Sequence, residues 1–477
     1  MDILMACSEL APVARVAGLG DVVAALAKTL CQLDHKVTVA LPRYASVDRA
    51  GLMLARRLTP LRLSVGGETL EATLFDGRLG SGVELLVVDI PGLYDRRGVY
   101  GEDGHDYPDN ARRFGLFCRA LAQLVSKRKQ EGRPFDAVHA HDWATALLPF
   151  LLRGHGARTV LTVHDVTEQG QFPKQAVDEI GLAWEDFHPA GLEFFDRLNL
   201  LKAGVLGADV VTTVSPTYAR EIQGPAEGAG LDGVFGARAT DLVGIVNGID
   251  YSVWSPATDP HLVARYDAED VANKSRCKAA LLHELELSLD PTIPLLVAVG
   301  PLTFGAGSDL LAAAMPALCR TGAQLVLAGE GEPRMADRLE RLAAEHPAEA
   351  RFLGAPSEPT LHRLLGAADL LLLPSRTEPC GLLQQYAQRY GALPVAHAVG
   401  GLRDTIVDCD ARCETGTGFL FDEPTAEALI GATERAMSAM RATRWPALRR
   451  RVMRLDLSWE RPARRYAKLY QGPEPAI

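Results

Sequence analysis

Ile3-Leu4-Met5-Ala6-Cys7-Ser8-Glu9 opens the chain, and His35-Lys36-Val37-Thr38-Val39-Ala40-Leu41-Pro42 follows thirty residues later. Between them lie a loop through Gly18 and Gly20 and a helical pattern over residues 21–33. An unbroken apolar run without alternation reads as a strand buried on both faces, the habit of parallel sheets. Strand, glycine-containing loop, helix and strand make one βαβ unit. Further strands are expected at 61–65, 71–75 and 83–88, the first two as a hairpin, and then at 137–139, 159–163 and 210–214. A long amphipathic helix is expected over 110–127. The first domain therefore reads as doubly wound.

The pattern starts afresh near residues 245–256, where Val246-Asn247-Gly248-Ile249-Asp250 carries an Asn-Gly turn signal. A strand is expected just before that turn. A second βα series then places strands at 295–299, 324–328, 351–353, 370–373 and 393–396, with a short one at 418–421. A helix closes the chain after Ser458-Trp459. The expected organisation is an α/β pair of doubly wound domains, 1–245 and 246–460, with a helical tail at 461–477. Open sheets of this kind bind ligands beyond the carboxyl ends of their strands, and two of them can share a cleft.

The bulk composition narrows the function classes. The chain has 477 residues and a formal net charge of −10, with no long basic tract. Nucleic acid and anionic membrane are therefore not expected partners. The eight cysteines form no C-x-x-C pair, which predicts buried free thiols in a reducing compartment. No signal-peptide pattern fits the start, and no 18-residue uncharged apolar run suggests a membrane span. A cytoplasmic protein is expected.

Three loops carry chemistry. In Ser8 to Asp21, Gly18 and Gly20 can bring backbone N–H groups to a phosphate at a helix start, and Arg15 can add a charged contact. In Pro374-Ser375-Arg376-Thr377-Glu378-Pro379-Cys380-Gly381-Leu382-Leu383-Gln384, a carboxylate stands at a strand end just before a helix N-terminus. In Val399-Gly400-Gly401-Leu402-Arg403-Asp404, a glycine pair lets a ligand approach the backbone. No His/Cys/Asp spacing supports a metal site.

Taken in order along the chain, these and further stretches resemble the bacterial glycogen synthase and plant starch synthase family. The matching segments are His139-Ala140-His141-Asp142-Trp143, Thr162-Val163-His164-Asp165, Leu201-Lys202-Ala203-Gly204, Ser215-Pro216-Thr217-Tyr218, Val246 to Asp250 with Trp254-Ser255-Pro256, Pro374 to Leu382, Gly400-Gly401-Leu402 and Ser458-Trp459-Glu460. The resemblance implies a GT-B architecture whose last helix crosses back to the first domain. It implies a retaining transfer of glucose from ADP-glucose to an α-1,4-glucan, with no metal or other cofactor. It also implies roles: Glu378, His164 and Asp142 at the reacting sugar; Arg15, Gly18, Gly381, Leu382 and Leu383 at the donor diphosphate; Asn247, Gly400 and Gly401 along the sugar cleft.

The departures are specific. Arg15 stands where the family has lysine, and Ala17 where it has glycine, which predicts crowding or a disfavoured φ. Pro301 and Ala306 replace the arginine and lysine that grip the leaving diphosphate. Ala355 stands where an aromatic often stacks on adenine, and Thr377 and Asp165 replace phenylalanine and asparagine. Losing one preorganised charge-stabilising group costs about 2.7–4 kcal/mol of barrier. Two readings stay open: a working synthase, with Arg376 and Arg403 as candidate substitute cations, or a degenerate relative that binds glucan or regulates a partner without catalysis.

Overall fold

The computed structural model describes residues 1–472, and they divide into two compact units. The first comprises Met1–Asn247 together with the chain from Trp459 onward; the second is Gly248–Ser458. The joints fall two residues from the expected ones. The tail treated separately in the sequence belongs to the first unit.

In the first unit, β1 (Asp2–Ala6), β2 (Lys36–Pro42), β3 (Leu61–Val65), β4 (Glu68–Arg78), β5 (Glu84–Asp89), β6 (Ala137–His141), β7 (Arg158–Val163), β8 (Val210–Thr213) and β9 (Leu242–Gly244) are joined chiefly by helices. These include α1 (Gly18–Gln32), α2 (Asn110–Gln130) and α3 (Asp142–Leu151). The sheet order is β9-β8-β7-β6-β1-β2-β5-β4, parallel from β9 to β5 and antiparallel beyond. The hairpin of β3 with β4 forms in the register Leu61↔Ala72 to Val65↔Glu68. Ile3, Leu4, Met5 and Ala6 are wholly buried, as a strand covered on both faces requires. The strand expected just before the Asn-Gly turn ends earlier, at Gly244, three residues before the first unit ends.

The second unit has a six-stranded parallel sheet. Its strands are β10 (Leu295–Val299), β11 (Gln324–Ala328), β12 (Ala350–Leu353), β13 (Leu370–Leu373), β14 (Leu393–His397) and β15 (Phe419–Phe421). The order β12-β11-β10-β13-β14-β15 is the 3-2-1-4-5-6 order of a dinucleotide-type fold. The helices α4 (Ser308–Arg320), α5 (Leu383–Arg389) and α6 (Gly400–Thr405) start just beyond β10, β13 and β14. Trp254 is a packing residue, stacked between His362 at 4.0 Å and Tyr386 at 3.8 Å. All eight cysteines are free, and all but Cys31 are buried.

The last helix, α7 (Glu460–Gln471), buries Ala463, Tyr466, Leu469 and Tyr470 at the spacing of one helix face. Arg465 Nη1 donates to Gly244 O, and Arg158 Nε donates to Leu469 O. No helix among the described residues is long and apolar enough to cross a membrane. Tyr466→Ala is expected to cost about 3 kcal/mol, as large-to-small changes in a core do. The melting temperature should fall, while Tyr466→Phe should stay within about 1 kcal/mol of the parent.

Candidate functional site

Each sheet reverses its strand order once, and ligand-binding loops gather at such switch points. In the first unit the reversal lies between β1 and β6; in the second it lies between β10 and β13. The residues singled out in the sequence lie mostly in the loops that leave these strands or their neighbours.

Beyond β1, the loop is shaped by Glu9, which is 2% exposed. Its Oε2 accepts from the backbone N–H of Val16 at 2.9 Å and of Ala17 at 2.8 Å, and its Oε1 accepts from Tyr100 Oη at 2.8 Å. Two amides just before Gly18 are therefore turned inward onto a carboxylate. Ala17 has φ −137°, an extended conformation open to any residue, so the expected strain does not arise. Gly20 has a packing reason: a Cβ there would lie 3.2 Å from Ala11 N. Gly18 starts α1 and is exposed. Arg15 is half exposed and paired with Asp21, Nη2 to Oδ2 at 2.9 Å.

Beyond β6 and β7 the strand register places His141 opposite Thr162, and side chains two apart share a face. His139, His141 and His164 therefore cluster. His141 Nδ1 and His164 Nε2 are 3.1 Å apart and share one proton-mediated contact. His139 Nε2 meets Thr162 Oγ1 at 2.6 Å, and its Nδ1 meets Tyr470 Oη of α7 at 2.8 Å. Asp142 begins α3 with φ 54°, a left-handed conformation that Asp tolerates better than most residues. It turns its Oδ1 onto the backbone N–H of His164 at 2.6 Å. Asp142 and His164, named separately in the sequence, are thus directly joined.

Burial disfavours the charged forms of these groups. It lowers the pKa of His164 and of His139 to about 3 and that of His141 well below its usual value. Desolvation, with the charges of Asp165 and Glu9, raises the Asp142 pKa well above the carboxylate range, against hydrogen bonds from the His164 and Asp165 backbone that lower it. Asp165 itself caps the Thr167 N–H at 2.8 Å. Lys202 is buried and its Nζ donates to Pro189 O and Glu193 O. Asn247 is buried at the end of the first unit.

In the second unit, Glu378 follows β13. Ser375 Oγ donates to its Oε2 at 3.1 Å, and its backbone O accepts from Gly401 N at 2.9 Å. Glu378 and Gly401 are therefore brought together. Gly401 admits no side chain, because a Cβ would meet Cys380 O at 1.8 Å. Gly400 and Gly401 form the first turn of α6 rather than a free loop. Gly381 has φ 66°, Leu382 caps α5 and Leu383 starts it. Gln384 Nε2 ties this turn together through Cys380 O, Gly381 O and Thr405 Oγ1.

The neighbouring loop beyond β10 is packed on this one. Gly307, φ 74°, caps α4, and a Cβ there would meet Pro374 O at 2.1 Å. Gly305 O accepts from Arg376 N at 2.7 Å. Pro301 is exposed and Ala306 half-buried, so neither position offers a cation. Arg376 does not take over. Its guanidinium makes a bidentate pair with Asp309 at 2.6 and 2.8 Å, donates to Phe304 O at 2.7 Å and lies 3.7 Å over the Phe304 ring. Arg403 reaches Asp422 at 3.7 Å. Ala355 is exposed beyond β12. Among the described residues no group of three His, Cys, Asp or Glu side chains is arranged to hold a metal ion.

Sequence reasoning missed Glu9 and the pairing of His141 with His164. A carboxylate directly after a buried strand and before a loop of free amides is the signal that points to the first. The second needs the register of β6 on β7.

Comparison with known proteins places this geometry in context. Residues 2–237 match the starch synthase catalytic domain, and residues 286–445 match the glycosyl transferases group 1. The chain is 44% identical to a glycogen synthase of an Anaeromyxobacter species, over 99% of both chains. It is 43% identical to a glycogen synthase of Thioalkalivibrio sulfidiphilus, again over 99% of both. Among solved structures, the catalytic domain of starch synthase IV from Arabidopsis thaliana, bound to ADP and acarbose, superposes with a TM-score of 0.88 at 31% identity, covering 98% of each chain.

The histidine cluster makes a pH prediction. Histidines that take up protons near pH 6.5 when unfolded, but only near 3 when folded, cost stability as pH falls through that interval. Asp142, whose pKa is raised, acts in the opposite sense. His139→Gln removes one such proton. Its unfolding free energy should fall less steeply than the parent's below pH 6.5, by about 1.4 kcal/mol per pH unit, as measured by urea unfolding across that range.

Proposed function

Because the chain belongs to the glycogen synthase and starch synthase family of glycosyltransferases, we propose that its donor is ADP-glucose and that it extends an α-1,4-glucan at the non-reducing end with retention. The observation that carries the reading is the placement of Glu378. It is a carboxylate at the carboxyl end of β13, on the sheet's switch point, held by Ser375 and tied through its backbone to Gly401. The ADP in the starch synthase IV structure supports the choice of nucleotide, and acarbose there supports a glucan-like acceptor.

In the proposed reaction the glucan 4-hydroxyl attacks the anomeric carbon on the face from which ADP departs. The bond from that carbon to the diphosphate oxygen breaks, the new glycosidic bond forms, and the hydroxyl proton leaves with the diphosphate. Positive charge grows on the sugar ring, and Glu378 is assigned to stabilise it. His164, uncharged at neutral pH, and Asp142, joined to it, are assigned to the sugar's hydroxyls. Asn247 and Gly400 are assigned to the sugar as well. Arg15, Gly18, Gly381, Leu382 and Leu383 are assigned to the diphosphate. The reading gives the reaction no metal and no other cofactor.

A second reading, glucan binding without turnover, is favoured by one observation. Positions 301 and 306 carry no cation, and Arg376 is committed to Asp309. Each missing charge-stabilising group lowers the rate by roughly 10²–10³, and the two losses are not additive.

Incubation with ADP-glucose and glycogen, followed by ADP release, separates the readings. Glycogen-dependent release that falls at least about 100-fold in Glu378→Ala is the expected result. UDP-glucose should support less release than ADP-glucose. Retained glycogen binding with no release from either donor would instead establish the second reading.

A further inference from the structure

A cavity of about 550 Å³ opens on the first unit where the amino ends of β2 and β5 meet the carboxyl end of α2. Lys36, Arg57, Arg78, Lys127, Arg128 and Arg133 line it, against only three carboxylates, Asp76, Glu84 and Glu131. This local excess of positive charge runs against the chain's net charge of −10. A concave wall lined by one sign of charge focuses the field and concentrates ligands of the opposite sign.

The internal ion pairs do not consume the excess. Arg57 holds Asp76 with two hydrogen bonds at 2.7 and 2.8 Å, and Arg133 holds Glu131 at 2.7 Å. Glu84 is shared between Lys36 at 3.4 Å and Arg78 at 3.7 Å, so one carboxylate serves two cations. Arg128 reaches Asp2 at 2.8 Å and lies 3.9 Å over Phe135, and Lys36 lies 3.8 Å from the same Asp2, so this carboxylate too serves two cations. Lys127 enters no ion pair among the described residues. It sits in the last turn of α2, where the helix dipole favours a cation.

The rest of the lining defines the ligand further. Thr59 offers an exposed hydroxyl, Thr38 Oγ1 donates to Glu84 Oε2 at 3.3 Å, the carboxylates of Asp76 and Glu84 can accept from further hydroxyl groups, and leucines supply the apolar remainder. The volume lies in the range of small-molecule sites and exceeds what a bare phosphate fills. We propose that this cavity binds a small phosphorylated sugar, its phosphate on the cations and its hydroxyls on the threonines and carboxylates. The site is separate from the loops described above. Lys36 begins β2, a seven-residue strand, and at about 3.3 Å per residue the cavity lies roughly 20 Å from the sheet end that carries those loops.

Calorimetric titration of the full chain tests the proposal, with fructose 1,6-bisphosphate and glucose 6-phosphate as probes and glucose and inorganic phosphate as controls. The expected result is one saturable site for a phosphorylated sugar, with Lys127→Glu and Arg78→Glu each weakening binding at least tenfold in chains that keep a cooperative unfolding transition. Absence of saturable binding by both sugar phosphates would overturn the proposal. So would an affinity that neither charge reversal alters, or inorganic phosphate binding as tightly as the sugar phosphates.

Discussion

In a parallel sheet wound in both directions from a central strand, the two innermost connections leave toward opposite faces. The carboxyl ends of two neighbouring strands are then left uncovered. That constraint governs both units of this protein. In the first it exposes the ends of β1 and β6, and in the second the ends of β10 and β13. The buried strands are apolar and anchor the polar loops at these four ends, whose own hydrogen bonds and ion pairs then fix their shape. Asp142 takes its left-handed conformation at the junction of β6 and α3, and Gly307, just before α4, packs so close to Pro374 O that a side chain would not fit.

The two units meet the cost of polar loops in different ways. The first neutralises its buried polar groups. Glu9 turns inward onto loop amides, three histidines are held uncharged, and Asp142 caps a backbone N–H. The second pairs charge with charge. Arg376 and Asp309 bind each other across the adjacent loops, and the Phe304 ring covers the guanidinium. Such an arrangement steadies the loop that carries Glu378 and engages Arg376, one of the two candidate substitute cations, in a pair with Asp309. The replacement of two family cations by Pro301 and Ala306 is therefore uncompensated by Arg376.

Much of the fold was legible in the sequence because its strands are uninterrupted apolar runs. The strands at 295–299, 324–328 and 370–373 match their observed bounds, and the hairpin of β3 and β4 follows from alternation. Glu378 was legible from its place at a strand end before a helix. What was hidden depends on register or on long-range packing. The approach of His141 to His164 needs the offset of β6 against β7. The inward turn of Glu9 could not be read from a residue type that normally faces water. The strain expected at Ala17 was wrong because family glycine does not by itself mean positive φ, and the chain there is extended. The return of α7 to the first unit came from family resemblance; composition shows only an amphipathic helix.

This glycogen synthase-type transferase carries Pro301 and Ala306 at the two positions where its family, by resemblance, places the cations of the leaving diphosphate. Comparing kcat with ADP-glucose and glycogen for the double variant Pro301→Arg, Ala306→Lys with that of the parent tests what their absence costs. Turnover should rise at least about tenfold, since each restored group is worth up to about 10²–10³ in rate. A double variant that folds as the parent does but turns over no faster would contradict that expectation.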